Sequence, residues 1–308
     1  MLTSLKDARR SAFTKSSTAE EVTAGIDLSG KLMLVTGATA GIGRETARVL
    51  ALRGAHVIAL GRTKDKAAAA LAGFSGTITP LACELTDLAS VAACADQVSA
   101  MNRPLDVLIC NAGIMALPQL EQVNGIEKQL FVNHFSHFVL LNRLMDAVKA
   151  APQGRVVNLS SGGYALAPKG GIEFDNLSGE RAYAGWKMYG QSKMANILFT
   201  RELARRCDGT TTTANAVHPG AVNTDLSRHM GGVARFFIRL VGRMVLKTPG
   251  QGAATSCYVA ASPALAKVNG LYFADSNPQE VKRPEMEDAA LAAKLWAVTE
   301  EKTKAYLR

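Results

Sequence analysis

Aromatic residues and long apolar runs are scarce in this 308-residue chain. Phe, Trp and Tyr make up only 6% of it, so the sequence offers no stacking platform for nucleic-acid bases. The net charge is +9, but the basic residues are scattered, which favours a basic surface over a nucleic-acid interface. No apolar run reaches the length of a transmembrane helix. An anionic small ligand would need only a few of these charges, and no nucleic-acid partner is expected.

Cysteine is also rare, and its spacing matches no metal site. The five cysteines form an odd set, and no secretory signal precedes them, which favours reduced thiols and a cytoplasmic location. His134 and His137 lie three positions apart, but neither an HExxH pattern nor a carboxylate partner accompanies them. We therefore interpret both histidines as packing or polar helix residues, and we expect no metal ion.

No Pro-, Gly- or Ser-rich linker and no repeat divides the chain. We therefore predict one domain over residues 28–308, preceded by an N-terminal extension over residues 1–27. The extension is basic and rich in Ser and Thr, as transit peptides are. Ser17 or Thr18 with an acid three positions later offers a capping box, and this pattern favours a short docking helix.

Short apolar segments alternate with helical patterns along the domain. Strands are predicted at Lys31–Thr36, His56–Leu60, Thr77–Cys83, Leu105–Cys110, Arg155–Leu159, Thr212–Val217 and Leu271–Phe273. Helices are predicted at Ile42–Arg53, Lys64–Leu71, Leu88–Met101, about Ile126–Lys149 and Gly185–Cys207. This alternation predicts an α/β fold, a single-domain Rossmann fold with a doubly wound, mostly parallel sheet and helices on both faces. The ligand should bind at the carboxyl ends of the strands. Four candidate residues directly follow such ends: Gly37, Asn111, Ser161 and Pro219.

A glycine-rich turn follows the first predicted strand. Gly37, Gly41 and Gly43 lie between that strand and a helix, where glycine allows a tight turn and a close approach of the backbone to a pyrophosphate. The helix N-terminus adds free N–H groups and the positive end of the helix dipole. In this strand–turn–helix context the glycines predict a dinucleotide site.

The end of the second strand indicates which dinucleotide binds. An acid there would hold the ribose 2′-hydroxyl of NAD, but the strand runs into Gly61-Arg62-Thr63, and the nearest acid is Asp65. Arg62 can pair with a 2′-phosphate through two hydrogen bonds, and Arg44 can add charge from the start of the helix. The alternative is that both arginines are solvated surface residues. We predict that NADP(H) is favoured over NAD(H).

Tyr189 and Lys193 form the most informative pair. They lie four residues apart and therefore on one face of a helix. A lysine ammonium beside a phenol favours the phenolate and would bring the tyrosine nearer to the working range of an acid–base catalyst. Tyr164 and Tyr183 are the alternative tyrosines nearby.

Four motifs occur along the chain in a fixed order. They are Thr36-Gly37-Ala38-Thr39-Ala40-Gly41-Ile42-Gly43, Asn111-Ala112-Gly113, Ser160-Ser161 and the Tyr189/Lys193 pair. Together they resemble the short-chain dehydrogenase/reductase family over about residues 28–275. The finer similarity is to the retinol-dehydrogenase-like branch, which includes WW-domain oxidoreductase and chloroplast-translocon-associated members.

The resemblance implies a catalytic set of Asn133, Ser161, Tyr189 and Lys193. Tyr189 would act as the general acid or base, and Lys193 would lower its pKa and hold the nicotinamide ribose. Ser161 would hydrogen-bond the developing oxyanion, and Ser160 is the alternative serine, which would only end the strand or cap a turn. Asn133 would support a water that relays protons to Lys193, or it would merely cap a helix.

The resemblance also implies a cofactor site built from the glycine turn and the loops after the strands. Glu84 and Leu85 would flank the adenine, although the family usually has Asp at the first of these positions. The backbone of Val222 would meet the nicotinamide carboxamide, and Thr224 would meet the pyrophosphate. The full implied set is Gly37, Thr39, Ala40, Gly41, Ile42, Gly43, Arg44, Arg62, Glu84, Leu85, Asn111, Ala112, Gly113, Tyr189, Lys193, Pro219, Gly220, Val222 and Thr224.

Two segments are implied to shape the substrate pocket. An insertion over residues 162–188 would form one wall. Residues 225–247 would form a mobile lid that excludes water on closing. The alternatives for this second segment are a packed surface helix and a basic amphipathic helix on a membrane. The apolar face of the lid would consist of Phe236, Phe237, Leu240 and Met244.

Together these residues predict an NADP(H)-dependent oxidoreductase that interconverts a carbonyl and an alcohol. The expected substrate is bulky and apolar, in the retinoid, steroid, terpenoid or aromatic ketone class. One alternative is a non-catalytic NADP(H)-sensing scaffold or regulatory protein, and another is an epimerase or dehydratase acting on a sugar nucleotide. A monomer or homodimer is expected, with membrane association as a minor alternative.

Overall fold

The computed structural model describes residues 1–222, 246–280 and 282–307. Within this part of the chain, an eight-stranded sheet lies between two layers of helices, and a short two-stranded hairpin stands apart. The strands are β1 (Leu32–Thr36), β2 (His56–Gly61), β3 (Thr77–Ala82), β4 (Val107–Cys110), β5 (Gln122–Val123), β6 (Ile126–Glu127), β7 (Arg155–Leu159), β8 (Thr213–His218), β9 (Tyr272–Ala274) and β10 (Asn277–Gln279).

The order of the main sheet is β3-β2-β1-β4-β7-β8-β9-β10. Neighbouring strands pair in parallel except for β10, which runs antiparallel to β9. The chain moves outward from β1 to β3 and then returns to β4 on the other side, so the strand order reverses between β1 and β4. A ligand is expected at that switch point. The predicted doubly wound Rossmann fold is therefore confirmed.

The two helical layers follow from the alternation of side chains along each strand. In β1, Leu32 and Leu34 pack in one core, while Met33 and Val35 pack in the other. The helices are α1 (Ala19–Val22), α2 (Gly41–Leu52), α3 (Lys64–Leu71), α4 (Leu88–Ser99), α5 (Lys128–Leu130), α6 (Ser136–Lys149), α7 (Gly185–Arg206), α8 (Pro249–Ala261) and α9 (Ala289–Thr303). The first core is covered by α4, α6, α7 and α9, and the second by α1, α2, α3 and α8. None of the helices in the described ranges is both long and apolar enough to span a membrane.

The N-terminal segment lies along the second of these layers. Thr18 and Glu21 form a capping box at the start of α1, where the side chain of Ala19 is buried. Glu20 pairs with Arg48 of α2, and the amide of Gln251 in α8 donates to the backbone of this segment. These contacts hold α1 against α2 and α8.

The prediction of one helix over Ile126–Lys149 is wrong at its start. Ile126 and Glu127 form a strand that pairs with β5 across Asn124 and Gly125, whose φ angles are 50° and 72°. Positive φ at both central positions is typical of the tight turn that Asn-Gly forms in hairpins. The helix then begins at Lys128, and its backbone is π-helical over Phe131–Phe135 before α6 continues to Lys149. The helical periodicity concealed the turn signal.

Candidate active site

The candidate site is a cavity of about 600 Å³ at the carboxyl ends of the parallel strands around the switch point. Its walls come from the turn after β1, the ends of β2 and β3, the loop after β4, the end of β7 and helix α7. The predicted site residues that line it are Gly37, Thr39, Ala40, Gly41, Ile42, Gly43, Arg62, Glu84, Leu85, Asn111, Ala112, Gly113, Tyr189, Lys193 and Pro219. Residues from widely separated parts of the chain thus meet in one cleft.

The glycine turn needs glycine for conformation and for space. Gly37 and Gly41 have φ angles of 67° and 51°, in the left-handed region that favours glycine. A Cβ on Gly43 would overlap the carbonyl group of Gly37 and the side-chain amide of Asn111. The N-cap of α2, Ala40, provides no side-chain hydrogen bond to the first turn. The N–H groups at this helix end are therefore available to an anion in the cavity.

The turn is tied to the loop after β4 through Thr36. Its hydroxyl oxygen accepts hydrogen bonds from Asn111 N and Ala112 N, at 2.9 and 2.8 Å. The side-chain amide of Asn111 donates to the Thr36 carbonyl at 2.8 Å, whereas its Oδ1 is buried without a hydrogen-bond partner in the structure. A buried acceptor on the cavity wall needs a donor. The unpaired Asn111 oxygen and the close-packed glycine turn therefore fit a dinucleotide, which has polar groups that could donate to this oxygen.

The two arginines that were predicted to contact a 2′-phosphate differ in their positions relative to the cavity. Arg62 lines the cavity beside the end of β2. Arg44 does not line it, because its guanidinium lies over the ring of Phe74, 4.5 Å from the centroid, and donates to the Ala70 carbonyl. Of these two arginines, Arg62 alone is therefore placed to contact a phosphate in this cavity.

Glu84 and Leu85 lie on the same side of the cavity, after β3. The Glu84 carboxylate accepts hydrogen bonds from the backbone N–H and the hydroxyl of Thr86, at 3.0 and 2.9 Å. This local ring fixes the turn after the strand. Glu84 makes these two hydrogen bonds at the position where the resemblance implies Asp.

Tyr189 and Lys193 lie one turn apart on α7, and both face the cavity. Their side chains are nearly enclosed, with 6% and 5% of their surface exposed. The Lys193 ammonium lies 5.8 Å from the centroid of the Tyr189 ring and donates to the Leu159 carbonyl at 3.0 Å. The helix therefore presents a phenol and an amine side by side.

The pKa values of this pair differ from the sequence expectation. Burial lowers the pKa of Lys193 to about 8, because a buried ammonium loses its hydration. Burial also raises the pKa of Tyr189, and a hydrogen bond with Ser161 opposes that rise only in part. The expected lowering of the tyrosine pKa by Lys193 is thus not found in the structure. Desolvation penalises the charged form of each group and is the largest cause of both shifts.

The two adjacent serines have different roles in the structure. Ser160 contributes to the cavity wall, but its hydroxyl donates to the Lys193 carbonyl at 2.7 Å. Ser161 Oγ accepts a hydrogen bond from Gly163 N at 3.1 Å and lies beside Tyr189. Its own proton can therefore point to the Tyr189 oxygen, which is the hydrogen bond that opposes the rise of the Tyr189 pKa. Ser161 thus lies beside Tyr189 without lining the cavity, whereas Ser160 lines the cavity with its hydroxyl proton committed to the backbone.

Asn133 binds the loop after β4 to α7. Its Oδ1 accepts from Ile114 N at 2.8 Å, and its Nδ2 donates to the Ile114 carbonyl and to Ser192 Oγ, at 3.0 and 2.9 Å. A Cβ on Gly113 would lie 3.0 Å from Asn133 Oδ1 and 3.4 Å from Lys193 Nζ. Asn133 Oδ1, from the π-helical turn, and Lys193 Nζ therefore both lie beside Gly113.

The rival tyrosine Tyr183 also has a lysine four residues later, Lys187. Tyr183 precedes α7, and its hydroxyl donates to the Leu117 carbonyl at 2.7 Å. Lys187 pairs with Glu173 at 2.9 Å. The spacing of this second pair therefore forms no site.

The remaining predicted residues lie at or beyond the end of the described segment. Pro219 lines the cavity, and Gly220 packs against the Lys247 side chain with a φ of 89°. Val222 pairs with Lys247 in an isolated bridge, outside the cavity wall. Five predicted residues lie outside the described part of the chain: Thr224, Phe236, Phe237, Leu240 and Met244.

Two exposed apolar side chains near Tyr189 were not identified in the sequence analysis. The Trp186 ring lies edge-on to the Tyr189 ring, with centroids 6.1 Å apart, and is 46% exposed. Leu166, in the segment that packs against α7 at Gly190, is 51% exposed. The position of Trp186, three residues before Tyr189 on a helix, is a signal that the sequence did contain.

Comparison with known proteins identifies the family. A model of the short chain dehydrogenase family matches residues 31–231. Short-chain dehydrogenase TIC 32 A, chloroplastic, from Brassica napus is 40% identical over 301 residues, which cover 94% of this chain and 93% of that protein. Retinol dehydrogenase 14 from Mus musculus is 40% identical over 291 residues, 89% of this chain and 86% of that protein.

Solved structures agree with these sequence relatives. An uncharacterised protein from Mycobacterium paratuberculosis superimposes with a TM-score of 0.75 at 34% identity, covering 94% of this chain and 98% of its own. A protein described as an NAD(P)-dependent gluconate 5-dehydrogenase from Beutenbergia cavernae, solved with NADP at low occupancy, gives 0.63 at 28% identity over 81% of this chain and 96% of its own.

The switch-point cleft, its glycine turn and the Tyr/Lys helix define the class as a Rossmann-fold oxidoreductase. Within that class, the chain belongs to the short-chain dehydrogenase/reductase family, in its retinol-dehydrogenase-like branch.

Proposed function

We propose that this protein is an NADP(H)-dependent oxidoreductase that interconverts a carbonyl and an alcohol on a bulky apolar substrate. The observation that carries the proposal is that Tyr189 and Lys193 line the same cavity as the glycine turn, with Ser161 hydrogen-bonded to Tyr189 beside it. A nicotinamide cofactor, when bound, supplies the hydride that such a reaction needs. The residues of the chain must then bind, orient and move a proton.

Three side chains would share the proton chemistry. Tyr189 would donate a proton to the carbonyl oxygen, since its raised pKa keeps the phenol protonated. Ser161 would donate a hydrogen bond to the same oxygen, where negative charge develops. Lys193, with a pKa of about 8, would exchange protons near neutral pH and hold the nicotinamide ribose. In the reverse direction, Tyr189 would accept the proton of the alcohol.

The cofactor would lie across the switch point, with its phosphates at the N-terminus of α2. Arg62 supports NADP(H) over NAD(H), because no acid follows β2 at the position that would hold a free ribose hydroxyl. The relative from Beutenbergia cavernae, which holds NADP, is consistent with this preference.

Arg62→Ala should weaken NADPH binding far more than NADH binding. A lost charge-assisted phosphate contact costs roughly 1.5–3 kcal/mol, which corresponds to roughly a 10- to 150-fold rise in Kd. Titration of both cofactors against both proteins measures the difference. Arg44→Ala is the matched control, because that guanidinium lies outside the cavity and should leave both affinities near wild type. Equal losses for NADPH and NADH in Arg62→Ala would refute the phosphate role.

Two exposed apolar side chains near Tyr189 support an apolar substrate. Trp186 is exposed and its ring is edge-on to the Tyr189 ring, and Leu166 is exposed in the segment that packs against α7 at Gly190, so a substrate held at the Tyr189 hydroxyl could contact both. Retinol dehydrogenase 14, a relative at 40% identity, is named for a bulky apolar alcohol. We therefore propose a ligand of the retinoid, steroid, terpenoid or aromatic ketone class.

Trp186→Ala should raise KM for bulky apolar ketones by roughly tenfold or more, since burial of an apolar group of this size is worth at least about 1–3 kcal/mol. The KM for a small ketone and the Kd for NADPH should change little. Trp186→Phe should restore most of the loss. If the KM values of bulky and small ketones rise equally, Trp186 does not read the substrate.

A panel of carbonyls and alcohols tests the function as a whole. Each compound is mixed with protein and NADPH or NADP, and turnover is followed by nicotinamide absorbance. We expect turnover of at least one bulky ketone or its alcohol, and a smaller rate with NADH or NAD. Tight NADPH binding without turnover of any compound would instead favour the alternative of an NADP(H)-sensing scaffold.

A reducing compartment suits the thiols of the chain. All five cysteines are free and buried. Burial raises the pKa of Cys257 to about 12, which keeps its thiol protonated and unreactive. We therefore propose that the protein works in the cytoplasm or another reducing compartment.

A further inference from the structure

His137 is a buried imidazole between two parts of the candidate site. It lies on α6, one turn after Asn133, and only 1% of its surface is exposed. Its Nε2 is 2.9 Å from the Thr36 hydroxyl, and its Nδ1 is 3.1 Å from the Asn133 carbonyl oxygen. The ring therefore connects the end of β1 with the π-helical turn beside Lys193.

The hydrogen bonds of Thr36 determine which ring nitrogen carries the proton. A hydroxyl offers one donor and two acceptor positions. Both acceptor positions of Thr36 are used by Asn111 N and Ala112 N, so its proton must point to His137 Nε2. Nε2 is then an acceptor without a proton. Nδ1 carries the proton instead and donates it to the Asn133 carbonyl.

The surroundings keep this ring neutral. Burial, with a smaller contribution from the Lys193 charge, lowers the pKa of His137 to about 4, against the hydrogen bond to the Asn133 carbonyl. A proton added at Nε2 would also face the Thr36 hydroxyl, whose lone pairs are already used. The donor and acceptor roles of the ring are therefore fixed across the physiological range.

We propose that His137 is a positioning residue. As a neutral imidazole with its proton on Nδ1, it fixes the position of the loop at Asn111 and Ala112 relative to Asn133 and Lys193. The ring holds the Thr36 hydroxyl in the single orientation that lets it accept both backbone N–H groups. Asn111 and Ala112 line the cavity, whereas Asn133 accepts a hydrogen bond from Ile114 N and lies, like Lys193 Nζ, beside Gly113. The inference extends the proposed function and rests on it for the catalytic part.

The neighbouring histidine provides a matched control. His134 is equally buried and lies on the same helical segment, but its Nε2 contacts Thr299 of α9, 3.0 Å away, and its ring packs against Phe135 and Phe199. It is therefore tied to the outer helix rather than to the cavity. A change at His134 should alter stability alone.

The protonated nitrogen can be read directly in the wild-type protein. Nitrogen-15 labelling of the imidazoles, with no cofactor or substrate present, should show one neutral histidine protonated at Nδ1 between about pH 6 and 8.5. Its signal should vanish in His137→Gln. His218 is an internal reference of the opposite form, because Gly162 N donates to its Nδ1 and leaves the proton on Nε2. A proton on Nε2 of His137 would overturn the proposal.

The variants test the consequence for the site. His137→Phe keeps the volume and removes both hydrogen bonds, so we expect Kd for NADPH to rise at least about fivefold and kcat to fall at least about tenfold. His137→Gln, whose amide offers an acceptor and a donor, should recover part of both losses. His134→Phe should lower Tm while leaving Kd and kcat within about twofold of wild type.

The outcomes separate this proposal from the proposed function. If folded His137→Phe retains wild-type Kd and kcat, or if His134→Phe changes them equally, the positioning role is wrong. If His137→Phe does not fold, His137→Gln and the tautomer of the wild-type ring decide the question. An inactive wild-type protein would refute the proposed function, whereas the tautomer and the NADPH affinity would still test His137.

Discussion

Tyr189→Phe should lower kcat by about 100- to 10,000-fold, which is the usual contribution of a positioned general acid. The change removes one oxygen from a ring that is held on α7 between Trp186 and the turn at Gly163. Because the ring stays and the phosphate turn lies elsewhere in the cleft, Kd for NADPH should remain within about threefold of wild type. Steady-state turnover of the best substrate and a cofactor titration give the two values.

Tyr183→Phe is the matched control for this prediction. It removes the same atom from a tyrosine with the same lysine spacing, but its hydroxyl is bound to the Leu117 carbonyl. We expect a small loss of stability and nearly normal turnover. If Tyr189→Phe keeps wild-type kcat, or if the control loses as much, the assignment of Tyr189 as the general acid is wrong.

Lys193→Met should make the protein more stable at pH 7 while removing most of its turnover. The shift of the lysine pKa from 10.5 to about 8 corresponds to a cost of about 3 kcal/mol for holding a buried ammonium. Methionine has a similar length and no charge. The Leu159 carbonyl, which Lys193 contacts, keeps the 2.9 Å hydrogen bond from Asn196, so no acceptor is left unpaired. A higher Tm without cofactor and a large loss of kcat and NADPH affinity are therefore expected.

The pH dependence of this gain provides a second readout. Because the pKa of Lys193 is lower in the folded state, the folded protein binds fewer protons than the unfolded chain between about pH 8 and 10.5, and its stability rises with pH there. The advantage of Lys193→Met should be full below pH 8 and should shrink above it. Lys187→Met is the control, because Lys187 lies on the same helix as Lys193 but its ammonium pairs with Glu173. This variant should show no gain in stability. A gain that is independent of pH would contradict the buried-ammonium explanation.

The fold could be predicted from the sequence wherever an element buries most of its residues. All five residues of β1 and of β7 are buried, and both strands stand where their apolar runs predicted. The prediction failed at the hairpin of β5 and β6, where two-residue strands leave no periodicity to detect. Helices α8 and α9 were not predicted, and both are rich in alanine, so their apolar faces are weakly marked.

The site could be predicted where backbone geometry or spacing demands a residue type. The glycine turn and the Tyr189/Lys193 pair are of this kind. Glycines after a strand predict a turn with positive φ, and a spacing of four residues predicts a shared helix face. The direction of the Arg44 side chain could not be predicted, since its partners Ala70 and Phe74 belong to another element. The pKa of Tyr189 also depends on burial by distant segments. The role of His137 depends on Thr36, which lies 101 positions away in the chain.

Transfer of deuterium from labelled cofactor is the most direct test of the proposed chemistry. NADPH carrying deuterium at the reactive carbon of the nicotinamide is incubated with the wild-type protein and the best ketone of the panel, and the alcohol is analysed by mass spectrometry and NMR. The product should carry one deuterium on the carbinol carbon, and Tyr189→Phe should form it at a strongly reduced rate. An alcohol without deuterium, or equal rates for the two proteins, would contradict hydride transfer at this site.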